Sequence, residues 1–173
     1  MNKPIFLIGF MGSGKTTLGK KLANHMNWKF VDLDHLIVTR IGMSIPEYFT
    51  QYGEQKFREL ESQVLKEQQD ERSVISTGGG SPCFFDNMQW MLENGIAVYL
   101  HLTPKALHNR LQQSDIASRP ALRGLRDEAL LAFIEEKLRE RDPFYKQAHI
   151  HIDQLNASLE TVRQSIETYA KNK

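Results

Sequence analysis

Short apolar runs alternate with longer amphipathic segments from one end of the chain to the other. The apolar runs are rich in β-branched and aromatic residues and predict strands at 5–9, 30–33, 73–76, 97–102 and 149–152. Segments with helical periodicity lie at about 14–26, 46–69, 84–94, 104–113, 126–141 and 158–171. This alternation is typical of βαβ units, so we expect an α/β fold whose parallel sheet has helices on both faces.

The order of these elements gives no reason to divide the chain. We find no repeat, low-complexity tract or flexible linker, and 173 residues suit one domain with its own core, so residues 1–173 are expected to form one domain. The segment 114–126 differs from the rest because it is polar and contains Pro120, Gly124 and three arginines. Its composition is typical of a mobile lid over a site, and an inert surface connection is the alternative.

Composition and charge exclude several classes of function. The net charge of +1 argues against a general nucleic-acid binder. Cys83 is the single cysteine, so an intramolecular disulfide or a thiol zinc cluster is not possible, and we expect a buried or spectator thiol. The apolar start of the chain leads into a glycine loop instead of a cleavage site, and no run approaches the ~18 apolar residues that cross a membrane. We therefore expect a cytoplasmic protein without a membrane partner.

A phosphate-binding loop follows the first predicted strand. Residues 9–17 read GFMGSGKTT and match G-x-x-x-x-G-K-[ST], and a helix is predicted to begin near Lys15. Glycines allow a tight turn with N–H groups pointing inward, and the helix start adds partial positive charge. Lys15 can then reach the β- and γ-phosphates, and the Thr16 hydroxyl can hold Mg²⁺. The nucleotide ligands expected here are Gly12, Ser13, Gly14, Lys15, Thr16 and Thr17.

A phosphate-binding loop alone also fits GTPases, ATPase motors and regulatory switches, and a chance match is the remaining alternative. Small size and polar groups at the other strand ends favour a kinase with a second ligand. Asp32 and Asp34 follow the second strand, and alternation in an extended segment places both on the same side. One carboxylate would serve the Mg²⁺ shell and the other an acceptor hydroxyl. Solvated or helix-capping aspartates are the alternative, since Asp34 directly precedes a helical run.

Three glycines, Gly78, Gly79 and Gly80, follow the third predicted strand. Without side chains they would let a ligand press against backbone N–H groups, and a plain loop is the alternative. In the helix predicted over 46–69, Glu61 falls within the apolar stripe and Arg58 at its border. Glu61 can therefore hold Arg58 in one pose suited to a carboxylate ligand, although a surface ion pair also fits.

Arg141 falls near the middle of the apolar face of its helix. Arg139 points about 140° away from Ile134 on the same helical wheel. A cation where the core stripe should continue needs an anionic partner, and an arginine that reaches out from the core edge is the alternative. Pro143 is expected to end this helix and leave Arg141 near its end.

In order and approximate spacing, these elements resemble the shikimate kinase family over essentially the whole chain. The matching motifs are GSGKTT, Asp-Leu-Asp at 32–34, Phe-Arg-x-x-Glu at 57–61, Gly-Gly-Gly at 78–80, Arg119-Pro120 and Arg141-x-Pro-x-Tyr145. The resemblance implies ATP-dependent phosphorylation of the 3-hydroxyl of shikimate, a step toward chorismate and the aromatic amino acids. It also implies a fold of the nucleoside-monophosphate-kinase type with a five-stranded parallel sheet in the order 2-3-1-4-5.

The same resemblance implies a role for each site residue. Asp34, Arg58, the glycines 78–80 and Arg141 would hold shikimate. Thr16 and Asp32 would serve Mg²⁺, Asp32 through water. Lys15 and Arg119 of the lid would supply positive charge to the ATP phosphates, and Asp34 would hold the acceptor hydroxyl and can take its proton.

Three features depart from the family pattern. The lid reads Arg-Pro-Ala-Leu instead of Arg-Pro-Leu-Leu after a slightly long segment, which leaves the role of Arg110 open. Phe144 replaces a leucine, and no arginine occurs at 156–158, where relatives often place one beside the adenine.

The rival hypotheses are a related small-molecule kinase, such as a gluconate kinase, and a nucleotide-binding module without turnover. A monomer is expected.

Overall fold

Five parallel strands form one sheet in the part of the chain that the structure describes. The structure is a computed structural model, and it describes residues 3–113, 122 and 124–172. The strands are β1 (Ile5–Ile8), β2 (Lys29–Asp32), β3 (Ser73–Ser76), β4 (Ile96–His101) and β5 (Ile150–Asp153). Their order is β2-β3-β1-β4-β5, as the family resemblance implied. Every neighbouring pair is parallel.

Helices connect and cover the strands, as the alternating pattern predicted. They are α1 (Lys15–Met26), α2 (Leu33–Ile41), α3 (Ile45–Lys66), α4 (Asn87–Asn94), α5 (Pro104–Gln112), α6 (Asp127–Tyr145) and α7 (Leu159–Lys171). A short 3₁₀ helix spans Ser81–Cys83. None of the described helices has the length and apolar character needed to cross a membrane.

The sheet separates two apolar layers, and β1 at its centre is fully buried. Ile5 and Leu7 pack with α1 and α7 on one face, whereas Phe6 and Ile8 pack with α3, α4 and α6 on the other. Successive side chains of a strand point to opposite faces, so a central strand covered on both sides must be apolar throughout. The core thereby fixes the carboxyl ends of the strands, where ligands bind in open parallel sheets.

Two predicted element boundaries near the carboxyl ends of the strands are wrong. The second strand ends at Asp32 and not at Leu33, and α2 begins at Leu33, before the helical run that was expected to follow Asp34. Pro143 does not end α6, because it lies inside the helix, which continues to Tyr145. A proline removes only its own N–H from the ladder, and the next bonds form, such as Lys146 N to Asp142 O at 2.9 Å. The fully buried Tyr145 anchors this last turn in the core.

The long helix α3 differs from its prediction in shape. It begins with a capping box in which the Ser44 hydroxyl accepts from the Glu47 N–H and the Glu47 side chain binds the Ser44 N–H. Gly53 interrupts it with φ 82° and ψ 166°, a conformation that favours glycine. The second half of α3, which carries Arg58 and Glu61, is therefore turned relative to the first half.

Candidate active site

One cavity of about 770 Å³ lies at the carboxyl ends of β1, β2 and β3. It brings together nearly all the described residues that the sequence selected, namely Gly12, Gly14, Lys15, Thr16, Thr17, Asp32, Asp34, Arg58, Gly78, Gly79, Gly80 and Arg141. Ser13 does not line this cavity and is buried within the loop. Arg119 and Pro120 lie outside the described residues, as does most of the predicted lid.

The loop after β1 folds around the ammonium group of Lys15. Gly9, Gly12 and Gly14 have φ values of 142°, 80° and 94°, so the turn needs glycine at each position. Lys15 Nζ donates to the carbonyl oxygens of Gly9 and Phe10 at 2.8 and 3.0 Å. Helix α1 begins at Lys15, as predicted, and its amino end faces the cavity. The loop therefore presents N–H groups, a helix terminus and a fixed cation to an anionic ligand.

A hydroxyl and a carboxylate meet beside this loop. Thr16 Oγ1 donates to Asp32 Oδ2 at 2.8 Å and lies 3.3 Å from Ser76 Oγ. The other oxygen of Asp32 accepts from the His35 N–H at 3.3 Å, so Asp32 also caps α2. Capping of a helix and a place in the ligand site were considered as alternatives for the two aspartates. Asp32 combines both, because one of its oxygens caps α2 and the other faces Thr16. Hydroxyl and carboxylate oxygens next to a phosphate-binding loop match the ligands that Mg²⁺ prefers.

Asp34 lies on the same side as Asp32, but for a different reason from the one predicted. It occupies the first turn of α2 and is not part of an extended strand. A Cβ atom added to Gly78 would lie 3.0 Å from Asp34 Oδ1 and 2.6 Å from Glu61 Oε1. Two carboxylates therefore converge on Gly78 at the floor of the cavity.

Arg58 is held by two glutamates. Its Nη1 donates to Glu61 Oε2 at 2.8 Å, the pairing that the i, i+3 spacing predicted. Its Nε and Nη2 donate to Glu54 Oε1 at 3.2 and 3.0 Å, a contact that the sequence analysis missed. The guanidinium carbon lies 4.2 Å from the centre of the Phe84 ring. These contacts leave Arg58 only 12% exposed and fix it at the cavity wall.

Glu61 is buried almost completely, with 1% of its side chain exposed. Burial raises the pKa of its carboxyl group to about 7, and the nearby Asp34 carboxylate adds to the rise. The Arg58 and Arg141 guanidinium groups oppose this shift without cancelling it. The base of the site therefore contains a carboxyl group that titrates near neutral pH.

Arg141 points a cation into the cavity from α6. Leu138 and Ile134 are buried on the same face, whereas Arg139 is exposed, as the helical wheel predicted. Arg141 Nη1 is buried, and within the described part of the chain it has no hydrogen-bond partner. Because a buried donor normally has a partner, this atom favours an anionic ligand in the cavity.

The three glycines after β3 each lie against a different charged group. An added Cβ at Gly78 would meet Glu61 and Asp34, at Gly79 it would lie 3.5 Å from Arg141 Nη1, and at Gly80 it would lie 2.9 Å from Arg58 Nη1. None of the three has a positive φ, so small size and not unusual backbone geometry requires glycine here. The glycine segment, residues 78–80, is where the charged groups of α2, α3 and α6 converge.

Arg110 and Gln154 extend the site on the side of the phosphate-binding loop. Arg110 Nη1 donates to the Ser13 carbonyl at 3.4 Å and lines the cavity. Gln154 Nε2 would lie 3.1 Å from a Cβ added to Gly14. The sequence leaves the role of Arg110 open and gives no signal for Gln154, because only the fold brings α5 and the end of β5 beside the loop. Cys83 is half-buried, and burial raises the pKa of its thiol to about 11, so it remains protonated at neutral pH.

The chain matches the family model described as shikimate kinase over residues 11–170. A shikimate kinase of Bacteroides fragilis is 49% identical over 146 residues, which cover 84% of this chain and 81% of that protein. The crystal structure of a shikimate kinase from Bacteroides thetaiotaomicron has a TM-score of 0.86 at 42% identity, covering 99% of this chain and 96% of that one. A shikimate kinase from Acinetobacter baumannii in complex with shikimate has a TM-score of 0.86 at 32% identity, covering 100% and 96%.

A gluconokinase from Sinorhizobium meliloti is more distant. Its structure has a TM-score of 0.60 at 17% identity and covers 99% of this chain and 93% of that one. Similarity at this level concerns the fold alone. The three relatives described above, at 32–49% identity, are shikimate kinases.

Proposed function

The chain belongs to the shikimate kinase family, and from this membership we propose how its cavity divides the work of phosphoryl transfer. The enzyme transfers the γ-phosphoryl group of ATP to the 3-hydroxyl of shikimate and releases shikimate 3-phosphate and ADP. This reaction is a step toward chorismate and the aromatic amino acids. The observation that carries the assignment of residues is the single cavity in which Lys15, Asp34, Arg58 and Arg141 meet.

The ATP phosphates bind in the loop of residues 12–17. Their charge is met by the N–H groups of the loop, the amino end of α1 and the Lys15 ammonium, whose present partners are carbonyl oxygens of the same loop. We assign Arg119, which lies outside the described residues, to the γ-phosphate on the basis of the sequence. Positioning and positive charge are the main contributions a protein makes to phosphoryl transfer.

Thr16 and Asp32 are the residues that would hold Mg²⁺, Asp32 through water. The 2.8 Å contact between them places two oxygen ligands beside the phosphate-binding loop, which fits the oxygen chemistry of this ion. When bound, Mg²⁺ neutralises charge on the β- and γ-phosphate oxygens. Asp32 is also tied to α2 through its cap, so the same carboxylate fixes the start of the helix that carries Asp34.

The shikimate side of the cavity also sets cations against an anionic group of the ligand, and it adds a carboxylate for the acceptor hydroxyl. Arg141 and Arg58 bind the substrate carboxylate, and N–H groups of residues 78–80 contribute hydrogen bonds. Asp34 accepts the hydrogen bond of the 3-hydroxyl and takes its proton as the new bond forms between that oxygen and the γ-phosphorus. At the same time the bond between the γ-phosphorus and the bridging oxygen of ADP breaks.

We further propose a cytoplasmic, monomeric, single-domain enzyme without a nucleic-acid partner. The net charge of +1 speaks against a nucleic-acid partner, and the continuous alternation of strands and helices, without a linker, speaks for one domain.

Measurement of ADP release with ATP alone, with shikimate and with gluconate tests the assignment. Release that depends on shikimate supports it, release that depends on gluconate supports the gluconate kinase, and no release under any condition supports a binding module. Lys15→Ala is the control for contaminating ATPase activity, because it removes the fixed cation of the phosphate-binding loop.

A further inference from the structure

Tyr145 joins α6 to the glycine segment from inside the protein. It is fully buried, and its hydroxyl donates to the carbonyl oxygen of Gly79. Its ring packs against Tyr99 with 5.1 Å between the ring centres. Gly79, Gly80 and Arg141 line the cavity, whereas Tyr145 contacts the segment from the other side. Tyr145 therefore touches the substrate site without being exposed to it.

All three carbonyl groups of the glycine segment have donors within the protein. The Ser81 N–H donates to Gly78 O at 3.1 Å, the Cys83 N–H donates to Gly80 O at 2.9 Å, and Tyr145 supplies the donor for Gly79 O. Tyr145 is the one side chain among these donors. Because a peptide unit is planar and trans, its C=O and N–H bonds point in opposite directions. A carbonyl of Gly79 held from the interior thus directs the N–H of Gly80 away from the interior.

Arg141 lies one helical turn before Tyr145, so the two side chains approach the same peptide unit from one helix. Arg141 Nη1 lies 3.5 Å from the position that a Cβ of Gly79 would occupy. The Tyr145 side chain is also hydrogen-bonded to that of Arg141, so its hydroxyl joins the Gly79 carbonyl to the guanidinium. Removal of the hydroxyl would leave the half-buried Gly79 carbonyl without this donor, and the peptide unit would be free to rotate toward another.

We propose that Tyr145 is a positioning residue for the acidic substrate, which acts by fixing the Gly79–Gly80 peptide against Arg141. The proposal rests on the proposed assignment of this half of the cavity to shikimate. A Cβ added to Gly79 would also lie 3.2 Å from Met11 N and 3.6 Å from Gly9 O, so the peptide borders the phosphate-binding loop as well. The two groups assigned to shikimate here, Arg141 and the Gly80 N–H, are the ones that the peptide itself orients. Loss of the hydroxyl is therefore expected to affect shikimate more than ATP.

The test compares Tyr145→Phe with Tyr99→Phe. Each variant keeps its ring in the same aromatic pair and loses one hydroxyl, and the Tyr99 hydroxyl donates to Asp142 Oδ1 at 2.8 Å instead of to the glycine segment. We expect Tyr145→Phe to raise the KM for shikimate about tenfold, the loss of roughly one hydrogen bond to a charged group, with kcat and the KM for ATP within about twofold. Tyr99→Phe is expected to change neither KM. An unchanged shikimate KM in Tyr145→Phe, an equal rise for both substrates, or the same rise in Tyr99→Phe would overturn the proposal.

A measurement on the unmodified enzyme applies even if Tyr145→Phe does not fold. In protein labelled with ¹⁵N-glycine, shikimate should shift the amide signal of Gly80 strongly and that of Gly95, which precedes β4 at the other end of the sheet, hardly at all. A Gly80 signal that does not move on saturation with shikimate would overturn the proposal. Absence of shikimate-dependent ADP release by the unmodified enzyme would instead contradict the proposed function, so the two failures are distinguishable.

Discussion

Glu61 Oε2 accepts a hydrogen bond from Arg58 Nη1 at 2.8 Å, one turn along the same helix. The pair is unequal, because Glu61 is 1% exposed and Arg58 also has the more exposed Glu54 as a partner. Burial raises the pKa of the Glu61 carboxyl group to about 7 in spite of the arginine. Near neutral pH the residue that orients the arginine thus exists in both protonation states.

Glu61→Gln is expected to remove a pH-dependent part of the free energy of unfolding. The folded pKa of about 7 lies above the ordinary value of 4.5, so the folded state binds more protons between these two values. Stability from this group is therefore fully present below about pH 4.5 and falls as pH rises to about 7, by up to roughly 3 kcal/mol. Urea unfolding of both proteins at pH 5 and pH 8 measures the difference.

Glu54→Gln is the control for that experiment. Its carboxylate binds the same guanidinium from a side chain that is 57% exposed, so its removal should change stability by less than about 1 kcal/mol. A stability difference between wild type and Glu61→Gln that is the same at both pH values would contradict the titration of Glu61.

Arg141→Ala and Arg58→Ala are each expected to weaken shikimate binding far more than ATP binding. Each removes a charged hydrogen-bond donor from an enclosed site, at a cost of about 2–5 kcal/mol. Titration calorimetry with shikimate, and separately with a non-hydrolysable ATP analogue, measures both affinities. Arg139→Ala is the matched control, because Arg139 lies on the same helix but is exposed, and it should leave both affinities unchanged. Unchanged shikimate affinity in both site variants would show that the carboxylate binds elsewhere.

Asp32→Asn and Asp34→Asn are expected to fail in different ways. Asp32 contacts Thr16 beside the phosphate-binding loop, so its variant should use MgATP poorly and recover part of its activity with added Mg²⁺. Asp34 faces Gly78 instead, and its variant keeps its shape but cannot accept a proton. It should bind MgATP normally and turn over slowly without recovery. In a magnesium titration of both variants, recovery of Asp34→Asn alone would reverse the assignment.

Lys15→Ala is expected to abolish turnover, because the transferred phosphoryl group loses its nearest fixed cation. Lys15 also donates to the carbonyl groups of Gly9 and Phe10, so its removal can disturb the loop itself. Circular dichroism of the variant therefore has to show that it is folded before its turnover is compared with that of the wild type. Steady-state turnover at saturating ATP provides the measurement. Near-normal turnover by a folded variant would contradict the phosphate-binding role.

Arg119→Ala is expected to lower kcat more than it weakens shikimate binding, since a lid arginine acts on the γ-phosphate when the site closes. Steady-state kinetics combined with shikimate calorimetry separates the two effects. An unchanged kcat would exclude Arg119 from the transfer step.

Local patterns in the sequence were sufficient for the positions of the strands and for the phosphate-binding loop. Each strand overlaps a short apolar run, and β3 was predicted with its observed bounds, Ser73–Ser76, whereas the order of the strands came from the family resemblance. The loop of residues 9–17 is likewise local, because its glycines, its lysine and the helix start are consecutive. The pairing of Arg58 with Glu61 follows from helical spacing, which is also a short-range property.

Tertiary structure alone decided how the second half of the site is assembled. Helix α2 began two residues earlier than expected, so Asp34 was placed correctly for the wrong reason. Helix α6 continued through Pro143 to Tyr145, whose side chain is fully buried. The sequence also did not indicate that Glu54 shares Arg58 or that Gly78, Gly79 and Gly80 each face a different charged group. These contacts join residues far apart in the chain, and their geometry depends on how helices pack on the sheet, which no local pattern encodes.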